Sequence, residues 1–477
     1  MKLVLLSILA ALSTFGSIAQ TSFNWSGTQD CNMSGTGALR PRIAFNAEGN
    51  PVVLWGNDNP GRNHVSVGNG TSFSMPVEVS APGCEPSVSY WMGSSLAAVG
   101  NTVWVAMKAV PEDTKPIYVR RSDDGGFTWG DTIRVDRPDG LLSRFPSISV
   151  VDPDAPLVQY MQFDDEFSGA RQVVTRMMGG AFMDPVQVST PYAPGLVCDC
   201  CPGQLVTNAD HAVALYRNAG SDIRVMWGAA STDGGASFPT GGVVDTTGWE
   251  LSQCPSSGPA GFLAGDSIRY AWMSGANQGS KVYVGSALAN DLTLGGQRLV
   301  YPAPMSTQQN YPRIAGNGDT LGVVWENQSN GGMEIMFSWS VTGVNGLSLP
   351  ELVNPITTGT QRTPDIAFRN GVFHIVWGEN TLDLVRYRKA ALVNTTGIDG
   401  RTALAPVTFW PNPVRDVLHV DGTGWTTALI LDAQGRTVAR EAVIAGTLDL
   451  SHLAAGLYSI SLLDRTGNTA TLHIEKQ

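Results

Sequence analysis

The chain has 477 residues, of which 54 are glycine and only 15% are charged. Abundant glycine together with short runs rich in Val, Thr, Trp and Tyr is typical of an all-β protein with many turns. The formal net charge of −11 argues against nucleic acid or an anionic membrane as the main partner, because both are also negatively charged.

Residues 1–19 are predicted to be an export signal. Lys2 supplies the positive charge, the run from Leu3 to Leu12 is apolar, and Ser17-Ile18-Ala19 offers a small-residue cleavage site. The alternative interpretation is a buried N-terminal helix. No later run reaches the roughly 20 apolar residues that span a bilayer, so we predict no transmembrane segment.

A repeat with a period of about 45–60 residues runs through residues 20–392 and predicts their fold. Each unit opens with a proline near the start of a short strand, and further short strands follow. The seven openings are Arg40-Pro41, Glu85-Pro86, Phe145-Pro146, Cys201-Pro202, Cys254-Pro255, Tyr311-Pro312 and Thr363-Pro364. Short antiparallel sheets repeated around an axis leave few exposed sheet edges, which is the architecture of a β-propeller.

We therefore predict an all-β, seven-bladed β-propeller, with six blades as the alternative if one unit is misread. The last unit lacks an obvious fourth strand, so the segment Thr21–Ser26 is expected to supply it and close the ring. Four tryptophans end second strands at the same place in the repeat and are expected to be buried between blades. They are Trp55, Trp272, Trp325 and Trp377.

Two turns carry the same pattern, Ser122-Asp123-Asp124-Gly125-Gly126-Phe127-Thr128-Trp129 and Ser231-Thr232-Asp233-Gly234-Gly235-Ala236-Ser237-Phe238. Asp accepts hydrogen bonds from nearby amides and Gly tolerates positive φ, so both segments are predicted to be tight hairpins. The pattern resembles the Asp-box (BNR repeat) of the sialidase, or neuraminidase, superfamily. That resemblance implies a propeller fold, although sialidases have six blades.

Residues 393–406 have no β alternation and are predicted to be a linker. Residues 407–477 alternate again and predict a small C-terminal β-sandwich. The opening Pro411-Asn412-Pro413, the Asp432–Val438 turn and the Leu453–Tyr458 stretch resemble the C-terminal sorting domain of type IX secretion cargo in the Bacteroidetes. The resemblance implies the type IX machinery as a partner, and a secreted or outer-membrane surface location reached through the periplasm.

In a propeller, the loops that enter the first strands share one rim with those that join second to third strands, and ligands bind there. The sialidase resemblance implies three Arg around a sugar carboxylate, a Tyr nucleophile with a Glu neighbour, and an Asp that acts as the general acid. The catalytic candidates are Arg40, Arg144, Arg362, Tyr311, Glu250 and Asp58, and the ligand-binding candidates are Arg313, Glu85, Trp249 and Trp91. The aromatic-Arg-Ile-Pro motif of sialidases has no clean match, since Arg40-Pro41-Arg42-Ile43 inverts it.

The six cysteines of an exported chain predict disulfides rather than a metal site. Four of them occupy unit openings or the loop before the first one, so neighbouring units are expected to bring Cys31 near Cys84 and the group Cys198, Cys200 and Cys201 near Cys254. One disulfide is predicted in each place, with the remaining two cysteines of the group paired locally; a Cys200–Cys201 bridge is an alternative. No cofactor is predicted, although the run Asp164-Asp165-Glu166 has oxygen ligands that Ca²⁺ prefers.

Two functions remain open from the sequence. One is a secreted sialidase-like glycoside hydrolase acting on glycans. The other is a non-catalytic surface propeller that binds a glycan or a glycoprotein at its rim.

Overall fold

The computed structural model describes residues 21–80, 83–189, 196–277, 279–329, 332–394, 407–421, 424–433, 436–464 and 469–477. The predicted export signal and all but the first two residues of the predicted linker lie outside these ranges, so both stay predictions. The chain divides into two compact units. One comprises Phe23–Val393, and the other contains residues 394–477.

The larger unit contains seven antiparallel sheets among its described residues, numbered here 1 to 7 in chain order. Sheet 1 comprises Leu39–Phe45, Pro51–Asp58, Gly61–Val67 and Val77–Glu78, and sheet 2 comprises Ser95–Val99, Thr102–Lys108, Ile117–Ser122 and Ile133–Arg134. Sheet 3 comprises Leu142–Ser149, Leu157–Phe163, Arg171–Met178, Ala181–Phe182 and Val186–Gln187. Sheet 4 comprises Gln204–Thr207, Ala212–Arg217, Met226–Ser231 and Thr240–Val243.

Sheet 5 comprises Ala260–Ala264, Ser267–Ser274, Lys281–Leu288 and Leu294–Leu299, and sheet 6 comprises Gln308–Asn317, Thr320–Ser329, Gly332–Ser340 and Glu351–Leu352. Sheet 7 comprises Gln361–Arg369, Val372–Glu379, Leu384–Asn394, Thr21–Trp25 and Gln29–Asp30. Helical structure is limited to the short 3₁₀ turns Asp165–Phe167, Gly220–Asp222 and Gly343–Gly346. The set of seven sheets and the limit on helical structure both refer to the described ranges.

The N-terminal strand Thr21–Trp25 completes sheet 7, as predicted. It pairs with Leu384–Asn394, the third strand of that sheet. The amide of Ser26 donates to the carbonyl of Lys389 over 2.9 Å, and the ring of Phe23 packs 5.8 Å from that of Phe373. The strand that the repeat lacks at its end is thus taken from the beginning of the chain.

The first strand of each sheet faces a common cavity. Each of these inner strands contacts the inner strand of the next sheet, and that of sheet 7 contacts that of sheet 1. Residues of all seven inner strands line the same cavity, which has a volume of about 430 Å³. The sheets are therefore arranged in a closed ring around this space.

The core of the ring lies between neighbouring sheets. Trp272 of sheet 5, for example, stacks between Tyr270 and Tyr283 and belongs to the same buried cluster as Leu215 of sheet 4. The four tryptophans predicted to be core residues are all at most 1% exposed, which confirms that prediction. Truncating such a side chain to Ala typically destabilises a protein by about 3–5 kcal/mol.

The two turns with the shared Asp-Gly-Gly pattern form the same hydrogen-bond network. In the first, the Asp124 carboxylate accepts bonds from the amide and the hydroxyl of Thr128, at 2.9 and 2.6 Å. In the second, Asp233 accepts the corresponding bonds from Ser237, at 3.0 and 2.6 Å. Partial burial raises the pKa of each carboxyl, but these hydrogen bonds outweigh it and lower both pKa values to about 2.

The C-terminal unit contains two sheets that share one apolar core. One comprises Phe409–Trp410, Val417–Val420 and Thr447–Asp449, and the other comprises Thr437–Ala442, Trp425–Leu431, Gly456–Asp464 and Thr469–Lys476. Leu418 and Leu448 of the first sheet and Ile430, Ile460 and Leu472 of the second belong to the same buried cluster. The alternating pattern of the sequence arises because one face of each sheet points into this core.

Candidate functional site

Four inner strands begin with a β-bulge at one end of the cavity, which we call the mouth. The pairing register shifts between Leu39 and Arg42, Arg144 and Ser147, Asn310 and Arg313, and Arg362 and Asp365. In each bulge the residue before the proline has a positive φ: 52° at Arg40, 55° at Phe145, 47° at Tyr311 and 47° at Thr363. This conformation is strained for a non-glycine residue before proline, and bulges re-aim side chains at binding sites.

These bulges bring residues of several sheets together at the mouth. The guanidinium carbon of Arg40 lies 5.7 Å from the ring centre of Tyr311, which belongs to sheet 6. The ring of Tyr90, from the segment before sheet 2, packs 6.4 Å from that of Tyr311. Arg362 of sheet 7 lies 4.3 Å above Tyr90. Three of these four residues were predicted site residues, and the structure brings them together.

Two buried carboxylates hold the mouth residues in place. Glu326 accepts a hydrogen bond from the amide of Thr363 at 2.6 Å and pairs with the Arg362 guanidinium at 3.4 Å. Asp365 pairs with Arg313 at 2.6 Å. Both carboxylates are at most 4% exposed, so these arginines are oriented by interactions that solvent screens weakly.

Arg313 and Asp365 also link inner strands on different sides of the cavity. Asp365 accepts a hydrogen bond from the amide of Ile43 in sheet 1 at 3.0 Å. The Nη1 of Arg313 donates to the side-chain oxygen of Gln204 in sheet 4 at 3.1 Å. This network fixes the cavity end of the Arg313 side chain.

Positive charge exceeds negative charge at the mouth, where the two carboxylates face Arg40, Arg42, Arg313 and Arg362. Burial and the neighbouring Arg313 lower the pKa of Arg40 to about 10. Its Nε is buried and has no hydrogen-bond partner among the described residues. A buried guanidinium nitrogen without a partner is unfavourable in the free protein, and an anion at the mouth would offset that penalty.

Burial and the Glu326 carboxylate raise the pKa of Tyr311 to about 12, although Arg40 and Arg362 act in the opposite direction. Burial also raises the pKa of Glu326, which the charge of Arg362 opposes. Tyr311 is therefore a neutral phenol at physiological pH. The carboxylate within its electrostatic reach is thus the buried Glu326 and not the predicted Glu250.

Arg144, the third predicted catalytic arginine, has other contacts. It forms an ion pair with Glu112 and lies 4.1 Å above the ring of Phe167. Arg313, predicted only as a ligand-binding residue, does act on Arg40 electrostatically. Consecutive side chains of a strand point to opposite faces, so Phe145 lines the cavity while Arg144 contacts Glu112.

The other predicted site residues do not line the cavity. Asp58, Glu85 and Glu250 are exposed. Trp249 packs 5.4 Å from the guanidinium of Arg217, and Trp91 packs 5.6 Å from the ring of Phe145. Both tryptophans are thus engaged with neighbouring side chains.

Sequence reasoning missed Tyr90, Glu326 and Asp365 as members of the site. The signal that could have found Glu326 is its position directly after the buried Trp325. Asp365 follows Pro364 in the opening of the seventh unit, where the bulge places it beside Arg313. No sequence pattern pointed to Tyr90, which lies in the segment between Glu85 and sheet 2.

The cysteine predictions are partly confirmed. Cys200 and Cys254 form a disulfide, which is the expected link between the cysteine group and the next unit. Cys198 and Cys201 are thiols whose sulfurs lie 2.9 Å apart, so the predicted local disulfide is not formed. A Cys200–Cys201 bridge is ruled out because Cys200 is bonded to Cys254.

The predicted Cys31–Cys84 disulfide is wrong. Both residues are free, buried thiols. Cys31 packs with Tyr387 between sheets 7 and 1, whereas Cys84 packs with Ala109 between sheets 1 and 2. The two residues thus lie on opposite sides of sheet 1. Their similar positions relative to the openings of neighbouring units do not make them close in space.

The described residues contain one group of metal-ligand type, which is formed by Cys198, Cys200, Cys201 and Cys254. The acidic run Asp164-Asp165-Glu166, considered for Ca²⁺, is not such a group. Asp164 pairs instead with Arg171 at 2.9 Å.

Residues 408–475 match the family described as the secretion system C-terminal sorting domain. The comparison with curated proteins gives no match.

Among solved structures, an ulvan lyase, which is a polysaccharide lyase, has a TM-score of 0.51 and 8% identity, covering 80% of this chain and 100% of its own. The sialidase of Trypanosoma rangeli has a TM-score of 0.42 and 10% identity, covering 96% and 89%. The alpha-L-arabinanase of Penicillium chrysogenum has a TM-score of 0.41 and 14% identity, covering 63% and 94%. At these identities the likeness concerns the fold alone, which is the propeller type.

The sorting domain settles the destination of the protein. It implies interaction with the type IX secretion machinery and export to the exterior or to the outer-membrane surface. In the part of the chain that the structure describes, no helix is long and apolar enough to cross a membrane. The chain is thus an exported all-β protein whose larger unit is a ring of antiparallel sheets of the propeller type, and it has a type IX sorting domain at its C-terminus.

Proposed function

We propose that the protein is an exported, seven-bladed propeller that binds acidic glycans at the mouth of its central cavity, with a small β-sandwich as its sorting domain. The observation that carries this proposal is the set of arginines Arg40, Arg313 and Arg362 around Tyr311. The planar guanidinium fork matches a carboxylate and keeps its charge at any physiological pH. A sugar that bears a carboxylate, such as a sialic or uronic acid, fits this chemistry.

The surroundings of the arginines favour a sugar over a simple anion. The exposed ring of Tyr90 offers an apolar face of the kind that stacks on the C–H face of a sugar ring. The cavity volume of about 430 Å³ lies in the range of sites for small ligands. An acidic terminal sugar would place its carboxylate at the arginines and its ring against Tyr90.

Hydrolysis is the second candidate function, and the nearby Glu326 favours it. In a retaining mechanism of the sialidase kind, Glu326 would take the phenolic proton while the Tyr311 oxygen attacks the anomeric carbon. The bond to the leaving oxygen would break as an acid protonates that oxygen. The predicted acid, Asp58, is exposed and does not line the cavity, and this favours binding without turnover.

The test uses the mature full-length chain. Binding of sialyllactose, an oligoglucuronide and neutral lactose is measured by calorimetry, and turnover is measured with a fluorogenic sialoside. We expect the acidic sugars to bind and lactose not to, and we expect Arg313→Met to weaken binding at least tenfold. The matched control Arg62→Met, whose arginine pairs with Glu78 on the surface, should bind as the wild type does.

Equal binding of neutral and acidic sugars, or unchanged binding by Arg313→Met, would contradict the proposal. Turnover that Tyr311→Phe abolishes while binding persists would establish the hydrolase. Binding without turnover would support the non-catalytic binding protein.

A further inference from the structure

Four cysteine sulfurs converge beside the mouth on the side of sheets 4 and 5. The Sγ atoms of Cys198, Cys200, Cys201 and Cys254 all lie within 4.8 Å of one another. Cys198, Cys200 and Cys201 precede the inner strand of sheet 4, and Cys254 precedes that of sheet 5. The acidic-glycan site does not use any of them.

The backbone holds these two segments close together. The amide of Cys198 donates to the carbonyl of Arg217 at 2.9 Å, and the amide of Cys201 donates to the carbonyl of Cys198 at 3.2 Å. A Cβ on Gly258 would lie 2.1 Å from the carbonyl oxygen of Pro202, so only glycine allows this approach. The cluster is therefore built by fixed backbone and not by flexible loops.

The spacing of the sulfurs is near that of a tetrahedral thiolate site. Sulfurs about 2.3 Å from a central Zn²⁺ are roughly 3.8 Å from one another. The Sγ of Cys200 lies 3.5 Å from that of Cys198 and 4.0 Å from that of Cys201. Opening the Cys200–Cys254 disulfide and separating Cys198 from Cys201 by under 1 Å would give this arrangement.

The surrounding charge favours an anionic cluster. Arg217 is fully buried, and its guanidinium donates to the carbonyls of Ser257, Arg224 and Met273 at 3.1, 2.6 and 2.8 Å. Within the described part of the chain, no carboxylate forms an ion pair with it, although the buried Asp245 interacts with it electrostatically. Arg224, which is also buried, is the second cation beside the cluster, and it pairs at 3.5 Å with the exposed Asp222.

We propose that the reduced cluster binds one thiophilic divalent cation of the Zn²⁺ class through the four thiolates. Four thiolates and a divalent ion carry a net charge of −2, which Arg217 and Arg224 complement. A second disulfide between Cys198 and Cys201 would leave the cluster neutral and would leave the buried charge of Arg217 without an anionic ligand.

The disulfide and the metal complex are alternative states of the same sulfurs. An external dithiol reduces the Cys200–Cys254 bond to two thiols and is itself oxidised to its disulfide. Binding of the cation then forms four metal–sulfur bonds and releases the four thiol protons to solvent. The bound ion would join the entry segments of sheets 4 and 5 as the disulfide does.

The test titrates Co²⁺ into the full-length chain after reduction by a phosphine and removal of metal. We expect one equivalent to bind and to give the intense visible bands and sulfur-to-cobalt charge-transfer bands of a tetrahedral thiolate site, which Zn²⁺ then abolishes by displacement. Cys254→Ser should weaken Co²⁺ binding at least tenfold and shift the visible bands. Cys84→Ser, which removes a buried thiol elsewhere, should bind as the wild type does.

The near-ultraviolet circular dichroism of each reduced sample checks that the fold is intact. Failure of the reduced, folded wild type to bind Co²⁺ would overturn the proposal. A spectrum unchanged in Cys254→Ser would do so as well, since the fourth ligand would then lie elsewhere. If the reduced chain loses its fold, restoration of the fold by Zn²⁺ supports the site, and lack of restoration refutes it.

Discussion

Replacement of Arg40 by Met separates the stability of the ring from its proposed binding function. Met keeps most of the length of the side chain and removes the guanidinium. Like Arg40, it is a non-glycine residue, so the backbone strain at φ 52° is present in both proteins. Arg40 makes no ion pair among the described residues, and its Nε has no partner. The variant therefore removes an unfavourable charge without breaking a structural contact other than the one to Tyr311.

The magnitude follows from the pKa of Arg40. A pKa lowered to about 10, against an ordinary value of roughly 12.5, corresponds to about 3 kcal/mol of penalty on the charged form. Loss of the interaction with the Tyr311 ring, which lies 5.7 Å away, cancels about 1–2 kcal/mol of this gain in stability. We expect Arg40→Met to stabilise the free protein by about 1–2 kcal/mol and to weaken acidic-sugar binding by at least tenfold, since a charged hydrogen bond contributes about 1.5–3 kcal/mol.

Urea unfolding followed by tryptophan fluorescence gives the first quantity, and calorimetry with sialyllactose or an oligoglucuronide gives the second. Arg62→Met is the control and should change neither by a measurable amount, because its ion pair with Glu78 is exposed. Destabilisation of Arg40→Met by more than 1 kcal/mol would show that Arg40 is a structural residue. Unchanged binding would remove it from the site.

Three further predictions test the fold and the site. Glu326→Gln should lower the unfolding free energy by about 2–3 kcal/mol in urea, because the Thr363 amide and the Arg362 guanidinium lose a buried anionic acceptor; an unchanged midpoint would contradict the buried pair. Asp124→Asn should cost about 1 kcal/mol at pH 7, and this difference should persist down to about pH 4 and vanish as the pH falls towards 2, since the pKa of the carboxyl is lowered to about 2. Burial and the nearby Lys389 lower the pKa of His374 to about 4, so the unfolded chain takes up a proton below about pH 6.5 that the folded chain does not. The wild type should lose about 2 kcal/mol between pH 7 and 4.5 that His374→Phe retains, and parallel pH profiles of the two proteins would refute this.

The repeat carries most of the information about the fold. Proline at each unit opening and tryptophan at the end of second strands predict the inner strands and the packing between sheets, because both depend on local pattern. The closing strand Thr21–Trp25 was also predictable, since a unit without a fourth strand leaves an unpaired edge.

The site was predictable only in part. Arg40, Arg313, Arg362 and Tyr311 come from unit openings, and their residue types suggest an anion site. Which side of the strand each one faces depends on the bulges, and a one-residue shift reverses the direction of a side chain. This is why Arg144 lies against Glu112. Cys31 and Cys84 fail to meet for a different reason, because they lie on opposite sides of sheet 1.

The strand borrowed from the start of the chain has a consequence for the timing of export. Contacts such as that of Arg388 with Ser26 join residues 362 positions apart, so sheet 7 is incomplete until nearly the whole ring has been synthesised. Pairings this distant form slowly, and the nascent chain meanwhile exposes the edge of Leu384–Asn394. The sorting domain follows that edge after the predicted linker 393–406, so the signal for outer-membrane passage is synthesised only after the last strand of the ring.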